Sequence, residues 1–128
     1  MGKSIHDDVL DTPLQYIEDN ADWCGICEGE PTTYEHAHSN KGVGLGKCLA
    51  NHAPTFTGPG AGDVSGRKTT VDEEAADTVD VSGDADHIAL CDVGVTKLLL
   101  VTTCTLQALV AANTVTMPAW DIEFTDPT

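Results

Sequence analysis

The run Asn113-Thr-Val-Thr-Met-Pro-Ala-Trp-Asp-Ile-Glu-Phe-Thr-Asp-Pro-Thr128 closes a strand-rich stretch, residues 84–128, that decides the fold class. Val, Leu, Ile and Thr fill its short strands, while Gly, Asn and Asp mark its turns. No nucleophile, base and orienting group occur there at a recognised catalytic spacing. The stretch therefore predicts a structural surface, and we expect the protein not to be an enzyme.

Turn signals recur about every ten residues from position 67 onward, which is typical of an antiparallel β-sandwich or barrel. The predicted strands are 68–71, 78–81, 87–92, 97–104, 114–117 and 120–124. The apolar alternation changes parity at Pro118, where proline removes a ladder donor and predicts a bulge or bend. The sequence thus predicts a mainly β protein, an antiparallel β-sandwich or barrel-like domain with a short N-terminal helix.

A helical segment is predicted over residues 4–20. Ser4 can cap a first turn, and Thr12 followed by Pro13 is a second helix start, so we expect one kinked helix or two abutting ones. Residues 25–66 are rich in Gly, Pro, Asn and His and predict a loop-rich region with a strand or two, in which 58–66 forms an irregular surface loop. With a β-strand core over 67–128, the 128 residues predict a single domain, 1–128.

The chain is strongly acidic, with 21 acidic and 6 basic residues and a net charge of −15. A nucleic-acid partner is not expected, because phosphate backbones reward clustered Lys and Arg and Arg67 is the only arginine. An anionic membrane surface is disfavoured for the same reason. Residues 1–8 contain no apolar run, so we expect neither a secretory signal nor a membrane span.

Cysteines and histidines concentrate between positions 24 and 52 and raise the question of a zinc site. A C-x-x-C pair followed by histidines and another cysteine could supply tetrahedral ligands, although the spacing matches no known zinc finger. Two other readings are a Cys24–Cys27 redox or disulfide pair, and ordinary buried thiols with loop histidines, which we favour, so we predict no metal and no cofactor. The zinc candidates are Cys24, Cys27, His36, His38, Cys48 and His52.

Cys91 and Cys104 lie on neighbouring predicted strands. With a turn centred on Gly94 and Val95, Cys91 faces about Leu98, which leaves the two cysteines roughly 20 Å apart along the strand. A disulfide needs Cα atoms within about 7 Å. We therefore expect no bridge within this hairpin.

Several phrases of the chain are similar to those of a family of small virion-associated structural proteins of tailed bacteriophages. The likeness covers nearly the whole chain and consists of structural phrases without catalytic signatures. The region 36–46 and the doubled cysteine at 24 and 27 depart from the family pattern, so a zinc site gains no support from it. The phrases are Ile5-His-Asp-Asp-Val-Leu-Asp11, Cys27-Glu-Gly-Glu-Pro-Thr-Thr-Tyr34, Phe56-Thr-Gly-Pro59, Gly62-Asp-Val-Ser-Gly-Arg-Lys68 and Ala119-Trp-Asp-Ile-Glu123.

The resemblance implies a structural virion protein, a capsid decoration or cement protein on the outer surface of the phage head. Its expected partners are the major capsid protein and copies of itself, as a trimer by analogy alone. The loop at 58–66 and the N-terminal helix are the expected docking elements. The alternatives are a tail- or fibre-associated adhesion module and, third, a small zinc-binding protein.

Overall fold

The computed structural model describes residues 3–127. It is mainly β, with 48% of residues in strands and 15% in helices, and its sheets are antiparallel. The predicted fold class is confirmed, and the sheets formed by residues 3–127 do not close into a barrel. In chain order the elements are α1 (Asp7–Asn20), β1 (Trp23–Cys27), α2 (Tyr34–His38), β2 (Cys48–His52), β3 (Phe56–Ala61), β4 (Arg67–Val71), β5 (Glu74–Thr78), β6 (Gly83–Asp92), β7 (Lys97–Leu109), β8 (Thr114–Met117) and β9 (Trp120–Phe124).

These elements fall into two compact units. Unit 1 consists of the chain up to Asn20, Thr55–Glu73 and the chain from Pro118 onward; unit 2 consists of Ala21–Pro54 and Glu74–Met117. Each unit contains segments that are distant in sequence. Spatial proximity groups the residues into these two units, but it does not show whether the units unfold together. The single domain expected over 1–128 therefore stays a prediction.

In unit 1, α1 packs on a three-stranded sheet with the order β3-β4-β9. Leu10 and Leu14 are its buried residues, and Leu14 is fully inaccessible to solvent. Of the two predicted alternatives, the structure has one continuous helix, with Pro13 inside it. Pro13 leaves the carbonyl four residues earlier without its helical donor, and the predicted restart at Thr12 does not occur.

In unit 2, a four-stranded sheet has the order β2-β1-β6-β7 and a separate pair joins β5 to β8. The β6–β7 hairpin has the predicted register, with Cys91 opposite Leu98. Cys104 then lies six positions farther along β7, and both cysteines are free thiols. The expectation of no bridge in this hairpin is confirmed.

The region 25–66 is more regular than its composition indicated. It contains α2, β2, β3 and most of β1, and the predicted irregular loop over 58–66 begins only after β3 ends at Ala61. The strand β3 keeps its pairing through a register shift between Thr57 and Gly60, where Gly58 has a φ of 138° that side-chain-bearing residues rarely adopt. The predicted strand at 78–81 is also displaced, because β5 covers Glu74–Thr78.

Pro118 separates two strands that belong to different sheets. The strand β8 pairs with β5, whereas β9 pairs with β4. The strand is interrupted at Pro118 and Ala119, where the sequence predicted a bulge or bend, and the bounds of both flanking strands match the prediction.

Candidate functional site

Three buried cysteines, Cys27, Cys48 and Cys91, lie on the face of the four-stranded sheet that α2 covers. Ala37 of α2 clusters with Cys91 on that face. Cys27 is the cross-strand partner of Cys48, and all three thiols are fully buried. Their location follows from strand alternation, which sends every second side chain of β1 toward α2.

The thiols of Cys27 and Cys48 interact directly. The side chains of Cys27 and Cys48 interact, and Cys48 donates a hydrogen bond to the carbonyl oxygen of Ala50 at 3.2 Å. The interaction with Cys48, and then burial, raise the pKa of Cys27 far above its ordinary value, and burial raises the pKa of Cys91 to about 11. Because the thiolate is the nucleophile and the metal ligand, Cys27 and Cys91 are unreactive while the sheet is intact.

Cys24 occupies the opposite face, next to an unusual polar pair. His52 is the cross-strand partner of Cys24, and its Nδ1 lies 2.9 Å from Oδ2 of Asp77, with both side chains 7% exposed. Burial, and then the charge of Asp77, raises the pKa of the Cys24 thiol. Burial also raises the pKa of Asp77, against the opposing hydrogen bond from His52.

This constellation does not form a cysteine-based catalytic triad. The Nε2 atom of His52 is buried and has no hydrogen-bond partner among residues 3–127, so it does not accept the Cys24 proton. Cys24 instead contacts the sulfur of Met117 at 3.8 Å. A histidine that activates a thiol must lie within hydrogen-bond reach of it. The His52–Asp77 pair is therefore a buried polar contact between β2 and β5.

The two remaining zinc candidates, His36 and His38, are engaged elsewhere. The ring of His38 packs between those of Trp23 and Tyr34, with centroid distances of 4.2 and 4.9 Å. His36 Nδ1 accepts a hydrogen bond from the backbone N–H of Thr32 at 3.1 Å. The spacing His-x-His therefore serves the packing of a short helix.

The six zinc candidates do not converge. Within residues 3–127, no group of three or more Cys, His, Asp or Glu side chains is placed to hold a metal ion. The reason lies in β1, because cysteines three apart on an extended strand point to opposite faces of the sheet. The same geometry places the Cys24 and Cys27 thiols too far apart for the disulfide considered from the sequence.

Both units expose apolar side chains, and in unit 1 one of them lies on an ordered turn. Val64, at the turn between β3 and β4, is 94% exposed. Hydrogen bonds brace this turn: Gly62 donates to Gly66 at 3.0 Å, and Asp63 donates its backbone N–H to Oε1 of Glu123 at 2.7 Å. The turn therefore presents an apolar side chain from an ordered backbone.

The helix α1 carries a second apolar surface on the side that faces away from its sheet. Val9 is 62% and Tyr16 is 48% exposed, and exposed Pro13 lies between them. The spacing i, i+4, i+7 places the three on one stripe, distinct from the buried stripe of Leu10 and Leu14. The same spacing can be read from the sequence, but the sequence does not say which of the two stripes is buried.

A cavity of about 280 Å³ in unit 2 offers no acid–base chemistry. Its lining contains only uncharged side chains. They are contributed by Val79, Gln107, Ala108, Leu109, Val110, Asn113, Thr114, Val115 and Thr116.

Comparisons with protein-family models, with curated proteins and with solved structures found no match. No helix in the described part of the chain is long and apolar enough to cross a bilayer.

Proposed function

We propose that this chain is a structural virion protein of a tailed phage, a capsid decoration or cement protein on the outer surface of the head. The observation that carries the proposal is Val64, an almost fully exposed apolar side chain on a braced turn. The cysteines and His52, the groups best suited to chemistry, are mostly buried and bonded within unit 2. This distribution supports a binding role over catalysis.

The turn is built to keep its shape when it docks. Lys68 donates from Nζ to Asp63 at 2.5 Å and to Asp121 at 3.3 Å, which ties the turn to the sheet. Asp126 donates its backbone N–H to the Ser65 hydroxyl at 3.1 Å. A pre-ordered loop loses little conformational freedom on binding, and that loss is one of the main costs of association.

Burial of Val64 in a shell pocket contributes about 1.5–3 kcal/mol. The outward stripe of α1, Val9, Pro13 and Tyr16, is a second docking surface of the kind that fits a shallow groove. Weak single contacts suffice for a decoration protein, because engagement at repeated sites raises the overall affinity. The partners are the major capsid protein and further copies of this chain, arranged as a trimer by analogy with other shell proteins.

The proposal is tested on purified virions of the phage that encodes this chain. Quantitative mass spectrometry is expected to find the chain at hundreds of copies per particle, and immuno-electron microscopy is expected to place it on the head. A few copies confined to the tail would replace the proposal by a tail- or fibre-associated adhesion module. Absence from the particle would overturn both.

Docking through Val64 is tested by a charged substitution at the tip of the turn. Val64→Asp places a carboxylate in the contact and is expected to lower shell occupancy at limiting protein by about tenfold or more. Val43→Asp is the matched control, since Val43 is also exposed, at 64%, but belongs to unit 2. Equal occupancy for the two variants would exclude Val64 from the contact.

A further inference from the structure

Cys27 and Cys48 meet the geometric conditions for a disulfide. Antiparallel cross-strand partners have Cα atoms about 4.5 or 5.5 Å apart, and disulfides span Cα separations of about 4.4–6.8 Å. The two residues are such partners in the β1–β2 ladder. As cross-strand partners, they carry their thiols on the same face of the sheet, and both side chains are fully buried.

No other pair of cysteines in unit 2 meets these conditions. Cys24 points to the opposite face, three residues from Cys27 along an extended strand. Cys91 pairs with Trp23, at the far end of β1 from Cys27, roughly 13 Å along the ladder. Cys104 lies on β7, which is separated from β1 by β6. The register therefore selects one pair out of five cysteines.

We propose that Cys27 and Cys48 are a redox modification site, at which a disulfide forms by exchange with a low-molecular-weight disulfide and fastens β1 to β2. One cysteine attacks the small disulfide and releases one small thiol. The second cysteine then attacks the mixed disulfide and releases the other. The two cysteines lose two protons and two electrons, and the small disulfide is reduced to two thiols.

Burial sets when this reaction takes place. Both thiols are fully buried, and attack requires an accessible thiolate, so exchange proceeds during folding or when β2 separates from β1. The disulfide therefore forms when the chain folds, or when β2 separates from β1, in oxidising surroundings. The reduced form persists in a reducing compartment. This inference does not depend on the proposed virion role.

The first experiment maps the thiols. The reduced chain is refolded in a mixture of oxidised and reduced glutathione, free thiols are alkylated, and the digest is analysed by mass spectrometry without reduction. Cross-linked peptides are expected to join Cys27 to Cys48, with the other three cysteines alkylated. Alkylation of all five cysteines, or a dominant bridge between any other pair, would overturn the proposal.

The second experiment measures stability in the two redox states. The bridge encloses residues 28–47, and a loop of that length lowers the unfolding constant on the order of a hundredfold. The urea midpoint of the wild type is thus expected to fall on reduction, as is that of Cys104→Ala, the matched control. Cys48→Ala is expected to show one midpoint in both states. A redox-dependent midpoint in Cys48→Ala would contradict the assignment, and if this variant does not fold, the peptide map of the wild type decides.

Discussion

Burial disfavours the ionised form of the Glu18 carboxyl group. Its Oε2 atom is buried and has no hydrogen-bond partner within residues 3–127. Burial, with the neighbouring charge of Asp19, raises the pKa of Glu18 above 4.5, against the lowering effect of a hydrogen bond with Thr69. The folded protein therefore holds this proton more tightly than the unfolded chain does.

The substitution Glu18→Gln tests that consequence. A raised folded-state pKa stabilises the wild type relative to Gln at low pH, and this advantage is lost as pH rises through the raised value. Relative to the wild type, the free energy of unfolding of Glu18→Gln is thus expected to be higher at about pH 7 than at about pH 4. Urea unfolding at both pH values measures the difference, and a difference that does not change with pH would refute the assigned cause.

For the cysteine and histidine residues, the sequence indicates burial but not which side chains come into contact. Their types and positions are evident from the sequence, and buried thiols are what the structure has at four of the five cysteines. The contact of Cys27 with Cys48 depends on a register shift between Ile26 and Cys27, which no local signal specifies. The partnership of His52 with Asp77 is likewise tertiary, because the two lie on β2 and β5.

Elements with strong alternation and clear turns were predictable. The strands β8 and β9 have the predicted bounds, and the β6–β7 hairpin has the predicted register. The missed elements, β1 and α2, have weak local signals. The strand β1 contains Gly25, which the close approach of α2 requires. The helix α2 is short and is capped by the Thr33 hydroxyl. Tertiary packing, more than local propensity, stabilises such elements.

The turn that presents Val64 depends on Gly66. Gly66 has a φ of 71°, and a Cβ atom there would overlap the carbonyl oxygen of Phe124. Gly66→Ala is therefore expected to lower the free energy of unfolding by about 1–3 kcal/mol. Gly60→Ala is the control, because a Cβ at Gly60 meets open space. Thermal unfolding of both variants measures the effect, and equal stabilities would show that the turn tolerates a side chain.

At the scale of the whole molecule, charge is distributed unevenly along the chain. All 21 acidic residues lie outside the segments 36–62 and 93–120. The edge strand β7 falls within the second segment and has Lys97 as its single charged residue. The net charge of −15 opposes association between copies of the chain, since like net charges repel. Any contact between this chain and a large assembly must therefore gain its free energy from apolar burial or from a basic partner surface.

Salt separates these two sources of docking energy. In the proposed contact with the shell, burial of Val64 would not be screened by ions, whereas repulsion between neighbouring copies with a net charge of −15 would be. Raising the salt concentration from about 0.05 to about 1 M is thus expected to leave shell occupancy unchanged or to increase it. Sedimentation of decorated particles across this range, with quantification of the released chain, measures the effect. Release at moderate salt would instead show that docking depends on attraction between the acidic chain and basic groups on the shell.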